Sequence, residues 1–517
     1  MLEEMSSWGK QLAKLVGDRT GFGVSEENIN PNEGDCFNYH SLTQLMHLDS
    51  FQAETALFFN KKSKGFILEA YPLLGANEET INILMSVLTD VLPPETDLQF
   101  LLWASPKIGR TLDAFETHRS QSGELYHWLA KKRTDFLRQG AFKSLTAQGS
   151  YLLRDFRLFI VLSQKRGLME SDDSTLLTLR EDMISSLKSI QVPAQPMGVE
   201  EVISLVGELL HPNSSVYPTE SQWNPYETLS QQVCDPESML TVHPDRIEIE
   251  NQDEVWEARA LTVKEFPSSS AQWKMMDAIG QMFNSSLQVP CSFVSSLHIR
   301  LIDHEKSLFN AQIKTMNKEK TARSPLAKWM PKISKEYEDW SFVQQRMADG
   351  DKLVKVFYQV VLFSKAEEAN SAERKVRDLY RANGWKLKKT RYLQLQSYLA
   401  MLPMMMSEGL YADMLLLGRV MTMTAFNAVN IAPLQGEWKG TNTPSLILPG
   451  RRGQMATWNA FDNKEGNYNL AIAAASGKGK SVLMQEYIVA QLSAGGRVWV
   501  IFAGSSPNAP LSTASLT

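Results

Sequence analysis

The chain has 517 residues, is 43% hydrophobic and 21% charged, and carries a net charge of −5. These values suit a soluble globular protein of several domains, and argue against a disordered chain or a dedicated nucleic-acid binder. Its three cysteines, Cys36, Cys234 and Cys291, lie far apart, which excludes a C-x-x-C pair or a disulfide framework and fits a reducing, cytoplasmic compartment.

In Met1–Val16, Leu2, Met5, Trp8, Leu12 and Leu15 recur at helical spacing, while Glu3, Glu4, Lys10 and Lys14 interrupt any signal-peptide core. Such a stripe packs on its own protein more often than on a membrane. After a loop at Asn28–Gly34, Phe51–Phe59 and Gly65–Tyr71 are predicted to pair as a hairpin around Lys61-Lys62-Ser63-Lys64-Gly65. Asn77 opens a helix with Ile81, Leu84, Val87, Leu88 and Val91 on one face, ended by Pro93-Pro94. Strands over Leu98–Trp103 and Leu152–Leu162, and helices over Leu176–Ile190 and Val199–Leu210, complete an α+β module. The polar stretch His211–Asp235 reads as a linker, which gives a first domain over 1–235.

A second α+β module is expected over 236–432. Its strands are predicted at Ile247–Ile249, Ala258–Val263, Ser292–Leu301, Lys355–Phe363 and Trp385–Lys389, with charged helices at His304–Thr321 and Glu367–Ala382. Val354–Leu402 reads strand, helix, Asn383-Gly384 cap, strand, helix, a split β-α-β pattern of ferredoxin-like character. The methionines crowded around Met401–Met406, Met414, Met421 and Met423 read as core filling. Glu408, Asp413 and Arg419 keep that stretch short of a membrane span.

Two basic clusters stand out. One is Lys314, Lys318, Lys320, Arg323, Lys328, Lys332 and Lys335; the other is Arg374, Lys375, Arg377, Arg381, Lys386, Lys388, Lys389 and Arg391, with Tyr380 and Trp385 interleaved. Solvated helix faces are the ordinary reading. Interleaved aromatics would suit single-stranded nucleic acid, and the second cluster would equally suit anionic lipid. The eight histidines show no H-E-x-x-H or other close ligand spacing, and no catalytic residue is assigned.

The third domain, 433–517, carries the most specific signal. Ala474-Ala475-Ser476-Gly477-Lys478-Gly479-Lys480-Ser481 is the phosphate-cradling G-x-x-x-x-G-K-[ST] pattern with alanine in the first glycine slot. An apolar run, Asn467–Ala474, is predicted as the strand before the loop. Val482–Leu492 follows as a helix, and Arg497–Ile501 as a second strand. Loop amides would meet the β-phosphate, Lys480 the β- and γ-phosphates, and the Ser481 hydroxyl a nucleotide-borne Mg²⁺. Lys478 adds a second cation. Hydrolysis needs a further acid and a group that orients water, and the only acid after Ser481 is Glu486, mid-helix. The stretch from Gly504 to Thr517 reads as a disordered tail. With Leu470–Ala473 and Val498–Ile501 left uncovered, proteolysis is expected to trim the chain to near Pro433–Gly436.

The sequence resembles the TraC family of pilus-assembly ATPases in F-type conjugative type IV secretion systems. The residues that carry the resemblance are Leu448-Pro-Gly-Arg-Arg-Gly-Gln454, Thr457-Trp-Asn-Ala-Phe-Asp-Asn463 and Gly466-Asn-Tyr-Asn469 leading into the loop, then Ser481-Val-Leu-Met-Gln-Glu486 and Gly495–Ile501. The Phe51–Leu74 region and Val354–Leu402 are similar more diffusely. The resemblance implies α+β modules followed by a RecA-like P-loop domain that binds ATP and Mg²⁺. It also implies a homo-oligomer, hexameric in the family, cytoplasmic and peripheral at the inner membrane, that docks on inner-membrane components of the secretion system.

Two departures are Ala474 for the family's glycine, and Phe502 where the family has an acid. Beyond Ile501 the resemblance ends, so the RecA-like domain is expected to be truncated, by a shortened or frame-shifted gene, and the chain not to hydrolyse ATP. A DNA-pumping coupling ATPase and a non-catalytic assembly fragment are the alternatives. No stable nucleic-acid binding is expected.

Overall fold

Alternating and continuous apolar runs along most of the chain pair into one broad sheet. Its strands are β1 (Leu48–Gln52), β2 (Leu57–Asn60), β3 (Ser63–Ala70), β4 (Thr96–Ser105), β5 (Asp155–Lys165), β6 (Ala194–Pro196) and β7 (Met239–Val242). They continue as β8 (Ile247–Asn251), β9 (Glu254–Glu265), β10 (Ser292–Leu301), β11 (Leu353–Lys365), β12 (Lys386–Lys389) and β13 (Met421–Thr424). The computed structural model describes residues 41–119, 123–146, 151–166, 173–212, 222–235, 238–251, 254–323, 331–463, 465–502 and 512–516.

Among these residues the sheet has 13 strands in the order β1-β2-β3-β5-β4-β10-β11-β9-β8-β7, with β6 on β3, β12 on β9 and β13 on β11. Neighbours pair antiparallel in β1–β2, β2–β3, β3–β5, β7–β8, β8–β9 and β9–β11. Phe66 stands opposite Leu162 and Leu68 opposite Ile160, while Val361 stands opposite Ala260.

Side chains alternate across the sheet with period two, and helices cover both faces. On one face Leu101, Trp103, Phe159 and Val161 pack with Val202, Val206 and Leu209 of the helix Val199–Leu210 and with Met401–Met406. On the other, Leu98, Phe100 and Ile160 meet Leu84, Val87, Met183, Leu187, Val429 and Leu434. Double coverage explains why every residue of β4 is buried. The helix Glu78–Ser86 starts where its cap dictates: Thr80 N donates to Asn77 Oδ1 at 2.8 Å. The methionine-rich segment is core, with Met401, Met404, Met405, Met406 and Met414 all buried.

The described residues fall in two units. The first comprises Met1–Trp103, Arg157–Ala278 and Phe293–Gln435; the second comprises Ala104–Phe156, Ile279–Ser292 and Gly436–Thr517. The second has its own small core of Ile108, Leu112, Phe115, Ala130, Leu137, Leu153, Ile447 and Met455. A hairpin of β14 (Leu446–Pro449) and β15 (Met455–Trp458) contributes Ile447 and Met455 to it.

This architecture corrects the expected fold of separate α+β modules followed by the start of a truncated RecA-like domain. Strands from both expected modules join one mixed α/β body, because β4 and β10 are neighbours and each closes the other's edge. Among the described residues the parallel sheet of a RecA-like domain is not observed. Arg497–Ile501 does form a strand, β16 (Val498–Phe502), but it pairs antiparallel with β17 (Ser512–Leu516), inside the stretch expected to be a disordered tail. Asn467–Ala475 is exposed and irregular except for half-buried Ile472. Its alanines offer little to a pleated, half-buried surface, and no strand lies beside them.

Met1–Val16, Asn28–Gly34 and Cys36 lie outside the described residues, as do 213–221 of the expected linker, Lys328, and 504–511 and 517 of the expected tail.

Candidate nucleotide loop

The helix Lys480–Ser493 begins two residues before the expected Val482. Gly477 (φ 73°) and Gly479 (φ 86°) hold the loop in left-handed conformations that side-chain-bearing residues rarely adopt. A Cβ at either would meet nothing within 4 Å, so dihedral angle and not crowding calls for glycine. Lys478 N donates to Ala475 O at 3.3 Å, and Leu483 N donates to Gly479 O at 3.0 Å. The amides of Lys480, Ser481 and Val482 precede the first intrahelical bond and remain as donors at the positive end of the helix dipole.

All of Ala474, Ala475, Ser476, Gly477, Lys478, Gly479, Lys480 and Ser481 are exposed. Among the described residues, the side chains of Lys478, Lys480 and Ser481 make no hydrogen bond or ion pair. This open, cation-bearing cradle fits a phosphate group, and the Ser481 hydroxyl is free to ligate a Mg²⁺ carried by it. Among the described residues no group of three or more His, Cys, Asp or Glu could hold a metal ion by itself. A bound ATP–Mg²⁺ would supply the reactive phosphate and most of the metal's ligands.

The helix behind the loop is tethered at its middle. Glu486 pairs with Arg133 at 2.5 Å, and Arg133 Nη2 donates to Ile447 O at 3.2 Å. Tyr487 lies against Trp458 with ring centroids 5.6 Å apart, and Ala490 and Ser493 are buried. Arg119 sits nearby, its Nη2 donating to Ser445 O at 3.0 Å and its guanidinium 4.4 Å from the Phe115 ring centroid. Burial first, then the like charge of Arg133, pulls the Arg119 pKa down to about 10, with Glu486 opposing.

Glu486 is therefore an electrostatic anchor between two arginines. Sequence reading identified it only as an acid leading out of the loop. It missed Arg119 and Arg133 altogether, since nothing local in the sequence marks residues so distant as partners.

The other candidate segments resolve differently. Tyr380 and Trp385 are buried against each other (5.8 Å) and, for Trp385, against Tyr358 (5.1 Å), so neither offers a face to a nucleobase. In the first basic cluster, Lys318 pairs with Glu336 and Lys314 lies 4.7 Å from the Trp340 ring centroid. Cys234 is half-buried and Cys291 buried, and burial raises the Cys234 pKa to about 12.

Comparison with known proteins adds two findings. The family described as TraC protein matches residues 42–406. Protein TraC of Escherichia coli (strain K12) is 28% identical over 495 residues, covering 92% of this chain and 56% of its own length. The chain thus spans little more than half the length of that relative.

Proposed function

This chain belongs to the TraC protein family, and on that premise we propose that it is the docking and assembly portion of a conjugative type IV secretion machine. The observation that carries this reading is where the family match lies. It covers 42–406, the stretch that builds most of the doubly covered sheet, and ends before the nucleotide loop. In this reading the sheet body that carries the family match is the part that packs against other proteins.

The partners in this reading are inner-membrane components of the secretion system and further copies of the chain. Its place is the cytoplasmic face, peripheral to the membrane. Among the described residues no helix is long and apolar enough to cross a bilayer. Co-expression with those inner-membrane components should shift the protein into the membrane fraction. Equal recovery with and without them would overturn the partner-docking reading.

The loop, in the same reading, holds ATP–Mg²⁺ without turning it over. Lys480, Ser481 and the free amides suit binding, but Glu486 is committed to Arg133 and is not placed to organise metal or water. Phosphoryl transfer rests on positioning and charge stabilisation, and Glu486, held by Arg133, supplies neither at the loop. Lys480→Ala should weaken ATP binding at least about tenfold, consistent with losing a charge-assisted phosphate contact. Phosphate release should stay at background in both proteins. Turnover that disappears in Lys480→Ala would refute the non-hydrolytic reading.

A further inference from the structure

A groove of about 510 Å³ opens along the helix Ala366–Ala382, lined by Arg374, Arg377 and Arg381 from one face of that helix and by Lys389 from β12. Positions three, four and seven apart share a helix face, so the three guanidiniums form one row. Glu373 and Asp378 are the acids of the lining, and Asn370 completes it.

What distinguishes this row from a solvated helix face is that its acids are already committed. One oxygen of Glu373 takes Arg259 at 3.0 Å and Lys389 at 3.1 Å. Its other oxygen is 3.8 Å from Arg377, too far for a hydrogen bond. Asp378 pairs with Arg381 at 2.9 Å. Arg377 Nε is shielded from solvent and has no partner, and Arg374 makes no ion pair. Among the described residues, the groove is left with the Arg374 guanidinium and Arg377 Nε as donors without a partner.

The wall behind the row is braced. Arg259, itself buried, bonds Glu257 (2.6 Å), Asn370 (2.8 Å) and Glu373. Lys389 is held between Asp245 (3.0 Å) and Glu373. Ordering of this kind lowers the entropic cost of gathering several cations around one anion.

We propose that this groove binds a phosphate group. Guanidinium forks match the tetrahedral oxygens of phosphate bidentately, and several forks in a row suit its multiple negative oxygens. The phosphate is carried either by a small anion or by a lipid headgroup, which share this chemistry. A stacked single strand is disfavoured, because the neighbouring Tyr380 and Trp385 are core residues.

The test uses the full chain carrying Lys480→Ala, which weakens the nucleotide loop, and reads the groove through its own arginine substitutions, so the outcome is independent of the function proposed above. One arm titrates pyrophosphate by calorimetry. The other floats the protein with phosphatidylglycerol vesicles against phosphatidylcholine vesicles. Saturable pyrophosphate binding, or flotation specific to phosphatidylglycerol, is expected, with a loss of at least about tenfold in Arg374→Gln/Arg377→Gln; the arm that responds identifies the carrier. Arg381→Gln, whose side chain is 68% exposed and outside the braced network, keeps the test open should the double variant fold poorly, with a several-fold loss expected. No response in either arm, a response unchanged by these substitutions, or binding to oligothymidylate alone would overturn the proposal.

Discussion

The sheet face beneath the methionine-rich segment and the nucleotide loop treat their polar groups in opposite ways. On the sheet, buried polar side chains seat the C-terminal end of the helix Gln394–Met401 and the short 3-10 turn Met405–Glu408 after it. Gln99 Nε2 donates to Met401 O at 3.0 Å, His298 Nε2 meets Ala400 O at 2.7 Å, and Gln359 Nε2 donates to Ser397 O at 3.0 Å. Ser407 Oγ donates to Asp97 at 2.6 Å, and Glu408 accepts from Lys62 N at 3.0 Å and from Ser63 Oγ at 2.5 Å. At the loop, helix-end amides and two lysines face water. An unpaired buried donor costs about 1–3 kcal/mol, so the first arrangement is required by stability alone. The second costs little because water satisfies it, and it is the one free to take a ligand.

The sharpest test of this contrast is a pair of tryptophans. Trp103 is fully buried, stacks edge-on to Phe363 at 5.6 Å and donates to Glu208 at 3.3 Å. Trp103→Ala should destabilise by about 3–5 kcal/mol in urea unfolding. Trp499 is 68% exposed on β16, and Trp499→Ala should stay within about 0.5 kcal/mol. Similar losses would mean that β16 is covered in solution.

His298 supplies the next test. Burial pushes its pKa down to about 4, with the Ala400 carbonyl and Asp97 opposing and Arg300 adding to the shift. The folded state therefore holds the ring neutral where the unfolded chain, near 6.5, binds a proton. Stability should be full above pH 6.5 and fall as pH drops through about 4, by an amount on the order of 3 kcal/mol. In His298→Gln that component should vanish from stability curves taken between pH 4 and 7. An unchanged slope would place the acid sensitivity elsewhere.

A smaller effect is expected at Ser407, which bonds both Asp97 and Ser163 (2.6 Å each). Ser407→Ala leaves Asp97 with Arg300 but removes two buried bonds, for a loss of about 1–3 kcal/mol by denaturant titration. A neutral result would show that the network has slack.

The smallest belongs to the tether at Glu486. Both partners of the Arg133–Glu486 pair are partly exposed, at 29% and 36%, so Arg133→Ala should cost no more than about 1 kcal/mol. Its signature is local: amide exchange should quicken in Lys480–Ser493 and nowhere in the sheet. Proteolysis sharpens the same point. With Ile447 and Met455 in a core, the first cuts should fall in the exposed stretch from Glu465 to Lys478, sparing β14 and β15. Trimming back to Pro433–Gly436, the sequence expectation, would mean that this small core is not stable.

Much of the local structure was determined by the sequence alone, because it depends on neighbours along the chain. Asn77 capping its helix, β10 running from Ser292 to Leu301, and Gly477 and Gly479 bending the loop before Lys480 are all set by a few consecutive residues. Partnership was decided only by the tertiary structure. A continuous apolar strand such as β4 is buried on both faces in a parallel or an antiparallel sheet alike, so its sequence cannot choose between them. Its place was settled by β10, from the other expected module, lying beside it. Similarly, whether Trp385 is a stacking platform or core depends on Phe266 and Tyr358, and whether Glu486 serves a metal or an arginine depends on Arg133, all brought in from other elements. Such contacts leave no periodic trace in the chain. They follow from which surfaces the folded body brings together, and the burial of those surfaces is what stabilises them.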